Sequence, residues 1–317
     1  MAGFSVATDQ HLIRSNIWSG QLRELRLEEL MAQRYVEMVD FPDGTTMNFP
    51  IIGQMEAHDF AEGQSVTYTS MDTGNFTFTV TQYKSSATYV YTKYLHDSMY
   101  MRRVVGTFVP KMNRALSVAM EARILDIGPS GQTASGLNTI NGGDHRFVAS
   151  GTSQVMAPKD FARAKYALEM ANVPMTNLVA VVHPSVAYAI ETLPNFVNFS
   201  SPNPQWTGIV STGLSTGMRF IRNIYGFDVY VSHYLKTSAG ETIDSVTVNS
   251  SGVHNLFFSA TPDYLPFLGT VRQAPKVDSE YNKDLQREEY VTTCYYDYAL
   301  QHPDNLVVVL SATDQVS

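Results

Sequence analysis

Charge is what this sequence has least of. Only 16% of its 317 residues are Asp, Glu, Lys or Arg, against about 25% in an ordinary soluble domain. Cys294 is the single cysteine, so no disulfide can form within the chain and a reducing compartment is the default. No apolar run approaches the roughly 18–20 residues that a membrane-spanning helix needs. The opening MAGFSVATDQHLIRS lacks a charged start followed by an apolar stretch, so no signal peptide is expected. The sequons at Asn75, Asn198 and Asn249 are therefore read as incidental. Basic residues number 22 against 30 acidic ones, a formal charge of −8. No cluster of Lys and Arg supplies the basic patch of a protein that grips nucleic acid.

The groupings that carry catalysis are missing too. The eight histidines are His11, His58, His96, His145, His183, His233, His254 and His302. None forms an H-x-x-H or H-E-x-x-H pair, and one cysteine cannot build a zinc site. Gly131 and Gly136 have the spacing of a phosphate loop, but Leu137 and Asn138 follow where Lys and Ser or Thr are needed. Asp144-His145 could be half of a catalytic dyad, yet no G-x-S-x-G elbow supplies a nucleophile. Cys294, among aromatics in VTTCYYDY, reads as a small core residue. His183-Pro184 follows the apolar run LVAVV, where α/β enzymes place catalytic groups, but it reads more simply as a strand-to-helix turn. In GFDVYVSHYL, Phe227, Val229 and Val231 are expected on one face of a strand and Asp228, Tyr230 and Ser232 on the other. His233, near its end, reads as a packing or interface residue. No cofactor, metal or active site is expected, and the chain is not read as an enzyme.

Aromatics and methionine are plentiful: 18 Tyr, 16 Phe and 14 Met. Little charge with many aromatics and Met is the composition of interface cores, so extensive self-association is expected. Patterning then sets the elements. Residues 1–20 read as an extended arm. Leu27, Met31, Tyr35 and Met38 recur at intervals of three and four and predict a helix from Gln21, stopped by FPDGTT. Phe76, Phe78 and Val80 alternate with Thr77, Thr79 and Thr81, so 45–92 reads as one long β-hairpin. Such a hairpin is barely stable alone and calls for a neighbouring subunit. Val105, Val109, Met112, Leu116, Met120 and Ile124 make one stripe of a long helix over 97–127, with a kink or break expected at Pro110. GPSGQTASGLNTINGGDH (128–145) reads as a flexible junction. Residues 158–235 read helix, strand, helix, strand. The tail is strand-like over HNLFFSAT, REEYVTTCYYDYAL and QHPDNLVVVLSA, with DSEYNKDLQREEY as a solvated or ion-paired surface and Val307–Leu310 as a last buried strand.

Taken in order, these segments resemble the major capsid proteins of tailed bacteriophages, the HK97-type coat proteins. GTTMNFPIIGQMEAHDFAEG matches the family's G-x-x-x-x-F-P-x-x-G entry into an extended loop (E-loop) at Gly44, Phe49, Pro50, Gly53 and Gly63. HDSMYMRRVVGTFVPKMNRALSVAMEARILD resembles its spine helix, and VPMTNLVAVVHPSVAYAI the strand and helix of its axial domain. GMRFIRNIYGFDVYVSHYL resembles the axial G-x-x-x-x-I-x-G-F-x-V strand, with Ile224, Gly226, Phe227 and Val229 in register. ALQHPDNLVVVL, with Pro303, resembles the closing strand of the peripheral domain, which typically reads Pro-acidic-Asn-Leu-Val. The resemblance covers about 40–312 and implies an α+β chain of the HK97-type fold. Its expected parts are an N-terminal arm (1–43), the extended loop (44–92), a peripheral domain with the spine helix (93–157 and 250–317) and an axial domain (158–249).

The implied function is a shell subunit that forms pentamers and hexamers of a virion head enclosing double-stranded DNA non-specifically. The implied partners are other copies of itself, a scaffolding protein, a portal and a decoration protein, with no membrane, and assembly would take place in the host bacterial cytoplasm. Neither partner of the covalent Lys–Asn crosslink found in part of the family can be matched. Two other classes stay open at this point: an encapsulin, a cellular cargo compartment of the same fold, and an α/β enzyme built around His183 or His233.

Overall fold

A computed structural model describes residues 30–41, 44–52, 58–59, 62–63, 65, 73–93, 101–135, 138–192, 220–248 and 251–313. The extended arm predicted for 1–20 lies outside these residues. A short 3-10 helix (Ala32–Tyr35) leads into β1 (Val36–Met38). Then come β2 (Thr46–Ile52), β3 (Thr73–Thr79) and β4 (Gln82–Tyr91), followed by the long helix α1 (Met101–Ser135). Three short strands follow: β5 (Thr139–Ile140), β6 (Gly143–Asp144) and β7 (Arg146–Val148). Next are α2 (Pro158–Met170), β8 (Leu178–Val182), α3 (Pro184–Thr192), β9 (Phe220–Ile224) and β10 (Phe227–Val231). After β11 (Thr237–Ser238), β12 (Thr242–Ile243) and β13 (Val246–Thr247) the chain ends in four longer strands. These are β14 (Gly252–Ser259), β15 (Phe267–Asn282), β16 (Arg287–Leu300) and β17 (Val307–Ala312).

Two sheets organise the molecule. The larger runs β7-β17-β14-β8-β10-β9, with β11 on the far end of β14. β8 is buried at all five positions, as its continuous apolar run predicts for a strand covered on both faces. Ala180 and Val182 face one core with Phe161, Leu168, Val186 and Ile190 of α2 and α3. Val179 and Val181 face a second core with Leu116, Met120 and Ile124 of α1. The smaller sheet runs β1-β15-β16-β4, and α1 lies across it. Among the described residues β2 and β3 pair with each other alone.

Several expectations are corrected here. The helix predicted from Gln21 to about Phe41 is, from Met31 onward, one 3-10 turn and a strand. Two backbone amides outcompete the side-chain period: Met31 and Ala32 donate to the Glu121 carboxylate of α1 at 2.9–3.0 Å, and β1 then pairs β15 in parallel. The hairpin does not extend to residue 92, because β4 leaves it to pair with β16 along its whole length. α1 is one continuous helix through Pro110 and on to Ser135, roughly 50 Å at 1.5 Å per residue. The expected break is absent and the expected junction begins later. Gly128 is inside that helix for contact: a Cβ there would stand 2.7 Å from Leu306 Cδ2. Finally, β14 and β17 lie in the larger sheet with β8, not in the sheet of β15 and β16 with which they were expected to group. A period of two marks a strand but does not name its neighbour.

Candidate assembly elements

The β2–β3 hairpin pairs Thr46 with Thr79 through Ile52 with Thr73. Its seven-residue strands carry no charged side chain. Gly44 and Gly63 both adopt positive φ, +79 and +87, at exposed turns, which is what glycine at those motif positions permits. Phe49 is half-buried against Phe76, ring centroids 6.1 Å apart. Pro50 pairs with Asn75 on an outer edge, where its missing N–H costs no ladder bond. Gly53 lies outside the described residues. At the root, Phe78 and Val80 are buried with Phe41 and Leu268, while Ile51 near the far end is 51% exposed.

The second motif is also a hairpin. β9 and β10 are antiparallel, Ile224 opposite Phe227. Tyr225 and Gly226 take φ of 52 and 92, the two positive values that a tight I′ turn requires. β10 then alternates as predicted: Phe227, Val229 and Val231 are buried while Asp228 and Tyr230 are partly exposed. Phe227 meets Phe257 edge-on at 5.3 Å, and Phe257 meets Phe161 of α2 at 5.2 Å. Ile224, Phe227 and Val229 therefore pack the larger sheet against its helices, and Gly226 makes the turn between β9 and β10.

Pro303 opens a 3-10 turn, Pro303–Asn305, between β16 and β17. The residue that matters most there, Asn305, was not singled out in the sequence. It is fully buried. Its Oδ1 accepts the Ser259 N–H at 2.8 Å, and its Nδ2 donates to the carbonyls of Ser259 at 2.9 Å and Tyr264. The side chain thus continues the β14–β17 ladder where the backbone has turned away. The Pro-acidic-Asn-Leu-Val pattern was the signal that could have found it.

The catalytic candidates resolve into framework. Asp144 does not orient His145: its Oδ2 receives Arg163 Nη2 at 2.6 Å. His145 is fully buried, with Nδ1 3.1 Å from the Gly143 carbonyl and Nε2 3.0 Å from the Asp304 carbonyl. His183 caps α3. Its carbonyl accepts the Ala187 N–H at 3.0 Å, and its Nδ1 lies 2.8 Å from Ser185 Oγ and accepts the Ser185 N–H at 3.3 Å. Its own N–H donates to Asn255 Oδ1 at 3.1 Å. His233 meets His183 edge-on, ring centroids 6.1 Å apart. Cys294 is buried, and burial raises its thiol above the usual range, the reverse of what a nucleophile needs. Among the described residues no three His, Cys, Asp or Glu side chains gather as metal ligands.

A family model described as phage capsid protein matches residues 56–309. No curated protein matches the chain. Among solved structures, one from Mycobacterium phage Che8 superposes with a TM-score of 0.67 at 16% identity, covering 93% of this chain and 96% of that one. The capsid structure of Cyanophage P-SCSP1u gives 0.69 at 13% identity, covering 98% and 95%. The capsid of Ralstonia phage GP4 gives 0.66 at 9% identity, covering 94% and 95%. At such identities the likeness is one of fold, and that fold is the α+β HK97 type.

Proposed function

Because the chain belongs to the phage capsid protein family and is a major capsid protein of a phage head shell, we propose that its copies gather into pentamers and hexamers, each lapping its β2–β3 hairpin over a neighbour. One observation carries this reading. Among the described residues the hairpin pairs with no other strand of its own chain, is uncharged along both strands, and exposes Ile51. Two strands alone are marginal in water, so the missing support comes from the next subunit, by apolar packing and by strand addition to an open edge. Each contact is modest, and a closed shell multiplies many of them.

In this reading α1 and the β1-β15-β16-β4 sheet form the peripheral unit. The larger sheet with α2 and α3 forms the axial unit, which takes in β14 and β17. Residues 1–43 serve as an arm, and Glu121 anchors its inner end through Met31 and Ala32. The shell encloses double-stranded DNA without gripping it, in keeping with a charge of −8. A scaffolding protein, a portal and a decoration protein complete the set of partners, and assembly proceeds in the host cytoplasm. The chain acts as structure and not as a catalyst.

Thr45 and Val80 are already joined by a 3.0 Å backbone bond, so residues 46–79 can be replaced by Asn-Gly without stretching the root. That variant is expected to remain a folded, unassembled subunit when expressed with its scaffold. Closed shells of normal size in electron micrographs would overturn the hairpin's role.

A further inference from the structure

The β2–β3 hairpin joins the body through two legs, and the two are built differently. On the return leg stands Asp297, 3% exposed. Its Oδ2 accepts the Thr81 N–H at 2.9 Å and the Thr81 hydroxyl at 2.7 Å. Its Oδ1 accepts the Tyr298 N–H at 2.9 Å and receives Arg123 Nε and Nη2 of α1 at 3.3 Å each. One carboxylate thus ties the hairpin to β16 and to the long helix together. Beside it the Tyr295 hydroxyl donates to the Val80 carbonyl at 2.9 Å. Hydrogen bonds to a buried charge are shorter and stronger than neutral ones, so this leg is firm.

The entry leg is loose by comparison. Gly44 is exposed at φ +79, and nothing lies within 4 Å of where a Cβ would stand. Glycine there leaves the backbone free to rotate. Across it lies exposed Arg272, whose Nη1 donates to the Gly44 carbonyl. The guanidinium sits 5.6 Å from the Phe41 ring centre and 5.5 Å from that of Tyr295, within reach of a cation–π attraction. Arg272 therefore bridges the loose leg and the firm one, since Tyr295 also holds Val80.

We propose that the root is a hinge with unlike sides: Asp297 and Tyr295 fix the Thr81 leg, and Arg272 is the positioning residue that limits the swing of the Gly44 leg. Within the play left by the fixed leg and by the 3.0 Å Thr45–Val80 backbone bond, this side chain limits the angle at which the hairpin leaves the body, and hence its reach to a neighbour. The inference rests on the lapping reading above. It concerns the free subunit, so the two can fail separately.

The test uses the full-length unassembled subunit with nitroxide labels at Ile51→Cys on the hairpin and Lys165→Cys on α2. Cys294 is fully buried and is left in place. Arg272→Ala is expected to broaden and shift the distance distribution, with the melting temperature and the amide exchange of β8 and β14 unchanged. Arg272→Lys keeps a donor for Gly44 and is expected to restore most of the narrow distribution. Thr81→Val, which loses one bond to Asp297, is expected to raise exchange at the Thr81 amide about tenfold, the scale of one charge-assisted bond. An unchanged distribution in Arg272→Ala would overturn the proposal, as would broadening that comes with general loosening of the larger sheet. If the distribution broadens but the hairpin-excised subunit still closes shells, the hinge stands and the lapping reading falls. If excision blocks assembly while the distribution is unmoved, the reverse holds.

Discussion

His254 is 1% exposed in the middle of β14, with charged groups on several sides. Its Nε2 lies 2.8 Å from Glu241 Oε2, and Arg146 of β7 pairs with the other oxygen of the same carboxylate. Ser238 donates to Glu241 at 2.8 Å, and Lys236 reaches Asp126 of α1 at 3.1 Å. Burial lowers the imidazole to about 4; the Lys236 carbonyl beside Nδ1 works against that, and the Arg146 and Lys236 cations work with it. The sign follows from linkage. The unfolded ring takes its proton near pH 6.5 and the folded ring near 4, so the native state is fully favoured above 6.5 and loses ground as pH falls between the two values. The loss is about 1.4 kcal/mol per pH unit, roughly 3 kcal/mol in all. Urea unfolding of the subunit at pH 7, 6, 5 and 4 is expected to show this slope. His254→Gln, which cannot titrate, is expected to flatten it; equal slopes would refute the assignment. Asn305 makes a second prediction at this scale. Asn305→Ala strands the Ser259 N–H and C=O in the core, and an unpaired buried group costs about 1–3 kcal/mol. A loss of about 2–4 kcal/mol in urea melts is expected.

At the scale of elements, the legible parts were those where a local pattern meets no competition. LVAVV is apolar throughout and becomes the doubly covered β8; the alternation after Gly226 becomes β10 with the predicted faces. What was not legible depended on partners far away in the chain. Met31 and Ala32 sit on a helical period, but Glu121, about 90 residues on, takes their amides. Gly128 looks like a loop residue because its packing against Leu306 cannot be seen in one dimension. β15 escaped notice because Pro275 and two register shifts, between Val271 and Gln273 and between Gln273 and Lys276, break its alternation. The assembly motifs were legible as glycine, proline and aromatic positions. Their anchors, Asp297, Tyr295 and Arg272, were not, since they reach the hairpin from more than 180 residues away.

For the whole molecule, the scarcity of charge sets how the shell responds to its medium. On the proposed assembly, contacts that draw on Tyr, Phe, Met and Thr bury apolar surface and are little affected by ionic screening, whereas apolar burial weakens on cooling. Assembly of purified subunits, followed by light scattering, is then expected to proceed as well at 1 M as at 0.1 M sodium chloride and to slow at 4 °C. A steep loss with added salt would point instead to ion pairs between subunits.

The position of β17 has a consequence in time. Among the described residues it is the last strand in sequence, yet it lies between β7 and β14, inside the larger sheet. Until residue 312 is available, β14 has no partner on that side, and Phe257, Phe258 and Leu256 have only part of their cover. A chain growing from the ribosome therefore holds the larger sheet open, edges unpaired, until residues 307–312 have been made. Closure depends on contacts far apart in sequence, which form slowly and leave aggregation-prone surface exposed meanwhile. Where many copies are made at once, many such half-built sheets stand together, and the step that limits shell assembly can lie in closing each subunit before any two of them meet.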